Sequence, residues 1–233
     1  MTRLHEEVAR SLIDDIVNGG YAPGDWLPRE VDLAQRFGIS RGVAREVIHS
    51  LRLRGVIDVR HGRGAWILPE ADWNLLDAEV LRAAALAPAQ RALLDEVLEC
   101  RETLEADAAE LAALRARPDE RAALVEALDE LEAALTSRRA SATELRITAE
   151  AQFHDRLVAC ARNRPLRRML APVHLALASA RHVLVPGELT STARQHQQMA
   201  RAVEDGDGAA ARTAVQLHAR ELARWFARSA DGG

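Results

Sequence analysis

Glu150 and His154 lie four residues apart, so on a helix they share a face, and Leu157, Val158 and Ala161 continue that face toward an interior. His196 has Met199 and Val203 below it at helical spacing, and His218 stands between Val215 and Leu222. Three imidazoles and one carboxylate on three helices therefore point toward apolar surroundings, and such donors gathered at one place suit a divalent metal ion. Periodicity alone leaves their convergence open, because a single core imidazole is ordinarily hydrogen-bonded to a neighbour. His174 and His182 have similar helical contexts. Arg101 has apolar neighbours and Glu105 four residues on. It reads either as a structural ion pair or as an anchor for an anionic ligand's carboxylate.

A second set of residues is basic. Seven arginines between Arg36 and Arg63 face only Glu46 and Asp58, a local charge of +5 in a chain whose net charge is −4. All 31 basic residues are arginine. Such a cluster is the footprint of phosphate binding, and arginine can grip guanine bidentately. Ser40, Arg41, Gly42 and Arg45 fall on the first turns of a predicted helix, the end that enters a major groove, and Gly42 keeps that end slim. Arg60, His61 and Arg63 surround a glycine-containing turn that could reach an adjacent backbone or minor groove. Arg52 and Arg54 read equally well as a solvated face.

The elements that must hold these residues differ between the two ends of the chain. Val8, Leu12, Ile13, Ile16 and Val17 recur at helical spacing up to Gly19-Gly20. After the Pro23-Gly24 turn, a short helix over 29–37 places Val31, Leu33, Ala34 and Phe37 on or near its inner face. Gly38-Ile39-Ser40 breaks it, and a helix over 41–54 buries Val43, Val47, Ile48 and Leu51. Helix, glycine-containing turn, helix is the helix-turn-helix pattern. Val56-Ile57-Asp58-Val59 and Ala65-Trp66-Ile67-Leu68 then read as a hairpin wing.

Eight of the 13 glycines precede residue 65 and none falls between 65 and 186, so a boundary is expected near 68–72. Beyond it, helical periodicity runs over 75–86, 88–116, 119–137, 143–161, 165–184, 190–205 and 208–229. Pro88, Pro118 and Pro165 stand at or near helix starts, Pro186-Gly187 and Gly206-Asp207-Gly208 make turns, and Pro172 should kink its helix or start a new segment. The fold class is therefore mainly α. A winged helix-turn-helix over 1–68 and a linker with a first helix over 69–87 lead to an antiparallel bundle of six to seven helices that continues over 88–233.

Composition agrees with a globular, helix-rich protein: 48% of residues are hydrophobic, 28% are charged and 45 are alanine. No apolar run approaches the roughly 20 residues of a membrane span, and the acidic first 15 residues do not read as a secretory signal. Cys100 and Cys160 lie far apart, which excludes a disulfide framework or thiolate zinc ribbon and predicts a cytoplasmic protein.

Pro23 to Glu30, Leu33-Ala34, Ser40-Arg41 with Arg45-Glu46, and Gly62-Arg63-Gly64 resemble the winged-helix signature of GntR-type bacterial transcription regulators. The resemblance covers nearly all of residues 8–68. It implies that Arg29, Arg41, Arg45, His61 and Gly62 contact operator DNA. Val31 stands where some members carry a basic residue.

Glu99-x-Arg101-x-x-Leu104-Glu105, Phe153-His154 followed by Asn163, His196 before Ala202 to Asp207, and His218 are similar to the FCD effector domain of the FadR-like subfamily. That similarity implies a ligand set of Glu150, His154, His196 and His218 for zinc or a similar divalent ion. An organic acid would complete the coordination, with Arg101 and Asn163 at the effector. The acid four before the first His is more usually Asp, and Gln195 stands where Glu is common. The stretch from Asp72 to Leu81 is similar to members that sense sugar acids, including galactonate.

The resemblance implies a homodimeric, non-enzymatic repressor on a palindromic operator, without membrane association. Two other readings compete. A metal-dependent enzyme carrying a DNA-binding module needs a further buried carboxylate as base, and none is evident. An acyl-CoA-responsive regulator without metal has no need of the three-histidine set.

Overall fold

The computed structural model describes residues 2–87, 90–137, 142–184 and 193–231, with the side chains of 2, 3, 91, 180–184 and 227–231 set aside. Pro88, the Pro186-Gly187 turn and the His182 side chain lie outside the described residues. The chain divides into two compact units, Met1–Leu93 and Leu94–Gly233.

In the first unit α1 (Thr2–Val17) packs on α3 (Arg41–Leu53), and α2 (Glu30–Phe37) packs on α3 as well. The spacing read from sequence is the buried stripe of α1: Val8, Leu12, Ile13, Ile16 and Val17 are all core residues. Of the apolar residues expected inside α2, Leu33 is buried but Val31 is 45% exposed. Eight residues make barely two turns, too few to bury a stripe on both flanks. Gly38 ends α2 in the left-handed conformation, with φ +63°, where a side chain would be strained. Ser40 Oγ then accepts the Val43 N–H at 3.2 Å and caps α3.

β1 (Ile57–Arg60) and β2 (Gly64–Ile67) pair antiparallel with Ile57 opposite Ile67 and Arg60 opposite Gly64. A third segment joins them. Ile67 donates to Asp25, Leu27 donates to Ala65, and Trp26 bridges to Trp66, so the chain after Pro23-Gly24 lies along the edge of β2.

A short turn of 3₁₀ helix, Glu70–Asp72, leads to α4 (Ala78–Leu86), which is capped by Asp77 and packs on α1. Buried Arg82 joins Asp14 at 2.6 Å and Glu79 at 2.7 Å, and Arg10 reaches Glu79 through two bonds of 2.9 Å. Burial would raise the Glu79 carboxyl, but Arg10 and Arg82 outweigh it and hold it below the usual range. The helix expected to lead toward the second domain is thus tied to the first unit.

The second unit contains, among the described residues, six helices: α5 (Arg91–Arg115), α6 (Pro118–Thr136), α7 (Ala142–Cys160), α8 (Arg164–Leu184), α9 (Ala193–Asp205) and α10 (Gly208–Asp231). Pro118 occupies the first turn of α6, where no amide donor is lost. Pro172 starts no new segment; α8 runs through it. Ala106, Ala109, Ala112 and Ala113 of α5 belong to one core cluster with Leu124, Phe153, Leu157, Met199, Val203 and Val215, while Ala108 faces a second cluster with Val158 and Leu170.

Candidate functional site

The four residues singled out at the start converge. Glu150 and His154 on α7, His196 on α9 and His218 on α10 are all buried, and their ligand atoms lie within 4.8 Å of one another. His154 Nε2 is 3.2 Å from His196 Nε2 and 3.8 Å from Glu150 Oε1. His218 Nε2 is 3.7 Å from the same carboxylate oxygen. Phe153 sets its ring edge-on to both His154 and His196, fixing the two imidazoles against the core.

The donor set fits a divalent metal. Two imidazole nitrogens bound at about 2.0–2.1 Å to one tetrahedral ion would stand roughly 3.3 Å apart, close to the His154 to His196 separation. The carboxylate distances of 3.7 and 3.8 Å, and the wider separations of up to 4.8 Å within the set, would contract around such an ion.

In sequence Glu105 is the i+4 ion-pair partner of Arg101, and in the structure it does more. Fully buried on α5, it takes Arg101 Nε on Oε2 at 2.7 Å and His154 Nδ1 on Oε1 in a short hydrogen bond. His174 Nε2 lies 3.4 Å from Oε1. Burial would push the Glu105 carboxyl up, but Arg101, His154 and His174 outweigh it and hold it well below the usual carboxylate range. His154 goes the other way: burial drives it down to about 3 against the pull of Glu105, so this imidazole is neutral at pH 7. A buried carboxylate apart from Glu150 therefore exists, but both its oxygens are engaged. The i, i+4 spacing to Arg101 was the available signal; its contact with α7 was not readable.

Of the two readings of Arg101, the ion pair is present. Arg101 also lines a cavity with Glu150, His154, His174, Leu177 and Ala178. That cavity measures about 20 Å³, room for one water. A groove of about 790 Å³ adjoins it across α6, α7 and α8, sharing Ile147, Ala151 and Ala178 as its wall. Asn163 is not brought to the cavity. Its Oδ1 accepts the Leu166 N–H at 3.2 Å, capping α8. Gln195 bonds Glu221 beside the cluster.

In the first unit, Arg41, Gly42 and Arg45 are exposed on the opening turns of α3, and His61 and Gly62 are exposed at the wing turn. Arg45 reaches Glu30 at 3.3 Å through Nε while its side chain stays 74% exposed. A Cβ on Gly42 would meet only Ser40 Oγ, at 3.7 Å. The fold itself thus leaves room for a side chain there. Arg29 precedes α2, its N–H donating to Asp32 at 3.3 Å. Arg60 stacks on the Trp66 ring at 4.4 Å, an anchor for the wing that the sequence reading did not identify.

Residues 4–67 match the bacterial regulatory proteins of the gntR family, and residues 96–221 match the FCD domain. The chain is 28% identical to the galactonate operon transcriptional repressor of Escherichia coli, over 90% of this chain and 91% of that protein. It is 30% identical to the HTH-type transcriptional regulator LutR of Bacillus subtilis, over 87% and 92% of the two chains. Among solved structures, Lar, which controls expression of the Listeria monocytogenes agr system, shares the fold with a TM-score of 0.69 at 18% identity, over 96% of each chain.

Proposed function

Because the chain belongs to the bacterial regulatory proteins of the gntR family and carries an FCD domain, we propose that it is a homodimeric repressor controlled by a small organic acid. It is a DNA-binding transcription regulator and not an enzyme. In the proposal, residues 1–68 bind DNA, 69–87 connect, and 88–233 bind the effector and form the dimer. Two copies present two recognition helices to successive half-sites, so the operator is palindromic. Arg41, Gly42 and Arg45 approach base edges, Ser40 caps the helix with its O–H free to donate outward, and Arg29, His61 and Gly62 meet the backbone or an adjacent groove. Its site of action is the cytoplasm.

One observation carries the effector half of the reading: a buried Glu150, His154, His196 and His218 cluster beside a cavity lined by Arg101. These four residues would hold zinc or a similar divalent ion, which supplies a Lewis-acidic seat for a carboxylate or hydroxyl oxygen. Arg101 faces the same cavity and suits the negative charge of an organic acid. The sugar-acid class is supported by the similarity to a galactonate operon repressor. An acid larger than one water enters by parting the wall formed by Ile147, Ala151 and Ala178, with the adjoining groove as its approach. A long acyl chain finds a charged cluster, not an apolar tunnel, at that position.

Thermal unfolding against aldonates, uronates, hydroxy acids and acyl-CoAs, with and without chelator, tests this reading. A ligand at 100 times its Kd adds about 2.7 kcal/mol of stability. The expected result is stabilisation by a sugar acid that vanishes with chelator. Indifference to every acid and to chelator would remove the metal-bridged effector site.

A further inference from the structure

We propose that Glu105 is the positioning residue of the metal centre: its carboxylate holds the proton of His154 on Nδ1 and thereby turns a bare Nε2 toward Glu150, His196 and His218. The inference rests on the metal-binding reading above.

Glu105 contributes no atom to the four-residue cluster, yet it is fully buried and its two oxygens have separate tasks. Oε2 receives the Arg101 guanidinium at 2.7 Å, and Oε1 receives His154 Nδ1. Neutralising Arg101 would require only the first of these contacts. An ionised carboxylate is an acceptor with no proton to give, so the hydrogen in the His154 contact belongs to the imidazole. Arg101 and His174, which come within 2.7 and 3.4 Å of the carboxylate, favour that ionised form. With the proton on Nδ1, the lone pair of His154 is on Nε2, the atom 3.2 Å from His196 Nε2. A carboxylate behind a ligating imidazole fixes both ring orientation and tautomer and raises the basicity of the ligand. Here the carboxylate comes from α5, while every member of the cluster is on α7, α9 or α10.

Two readouts test the role. The first is zinc affinity of Glu105→Gln against wild type, measured by competition with a chromophoric chelator. Loss of an outer-shell partner costs about 10–100-fold in metal affinity, and that loss is expected with helicity unchanged. An affinity within about twofold of wild type, against that expected range, would overturn the proposal. The second is the ¹⁵N spectrum of the imidazoles in metal-free wild type, where His154 is expected to carry its proton on Nδ1. A proton on Nε2 would overturn the proposal without reference to any variant, even if Glu105→Gln does not fold. Should wild type take up no zinc at all, the metal-bridged effector site falls, while the tautomer of His154 still decides whether Glu105 orients that imidazole.

Discussion

His154 and His196 bring their Nε2 atoms to 3.2 Å of each other in the buried centre of the second unit. Two neutral imidazoles can satisfy that contact only if one donates and the other accepts. Glu105 holds His154 from behind through Nδ1, which makes His154 the acceptor. In the proposed metal-bound form both nitrogens would instead serve as ligands.

Removal of any histidine of the cluster should therefore abolish tight metal binding. His196→Ala and His218→Ala are each expected to lower zinc affinity by at least about 100-fold, the upper end of what outer-shell changes produce. Metal analysis after dialysis against a weak chelator checks this. Full zinc content in both variants would contradict the assignment.

Acid should destabilise the metal-free protein in a defined window. His154 is pushed down to about 3 in the fold, against about 6.5 for the free side chain, so below pH 6.5 the unfolded chain binds more protons than the native one. Its contribution is complete above about pH 6.5 and declines as pH falls toward 3, by roughly 1.4 kcal/mol per pH unit for one proton. Glu105, held well below the usual carboxylate range, adds a loss of the same sign once pH falls below about 4.5. Urea unfolding of chelator-treated protein between pH 7 and 5 measures the first slope. A flat profile there would contradict the buried neutral imidazole.

On the DNA side, Arg41→Ala and Arg45→Ala should each weaken specific operator binding by about 1–3 kcal/mol while leaving the fold intact, as both side chains are exposed. Gly42→Ala is the more discriminating variant. The fold has room for the methyl group, and Ala is favoured over Gly in a helix by up to about 1 kcal/mol. Higher thermal stability with weaker operator binding is the expected combination, and footprinting alongside thermal unfolding checks it. Tighter operator binding would remove the close approach argued for this helix end.

Helix periodicity, capping residues and proline positions make most of the elements legible: the stripe of α1, the Ser40 cap and helices α5 to α10 all obey local rules. Local rules also put Glu150 and His154 on one inward face. Beyond those rules, contacts between distant segments decided the outcome. The Gly24 to Leu27 segment joins the wing because of β2, about forty residues away, and α4 joins the first unit through Arg82 and Asp14. Glu105 looked complete with Arg101 at i+4, and nothing in the spacing pointed to His154, 49 residues on. Resemblance places Asn163 at the effector, but its geometry is that of a helix cap.

Operator affinity, measured by fluorescence anisotropy on a duplex selected from random sequence with galactonate and related sugar acids, before and after metal removal, joins the two halves of the molecule in one experiment. Effector coupling in such switches is typically about 5–150-fold. One sugar acid is expected to weaken operator binding within that range in the metal-loaded protein and to have no effect after chelation. Operator binding that ignores every acid, or release that persists without metal, would contradict a metal-bridged effector site.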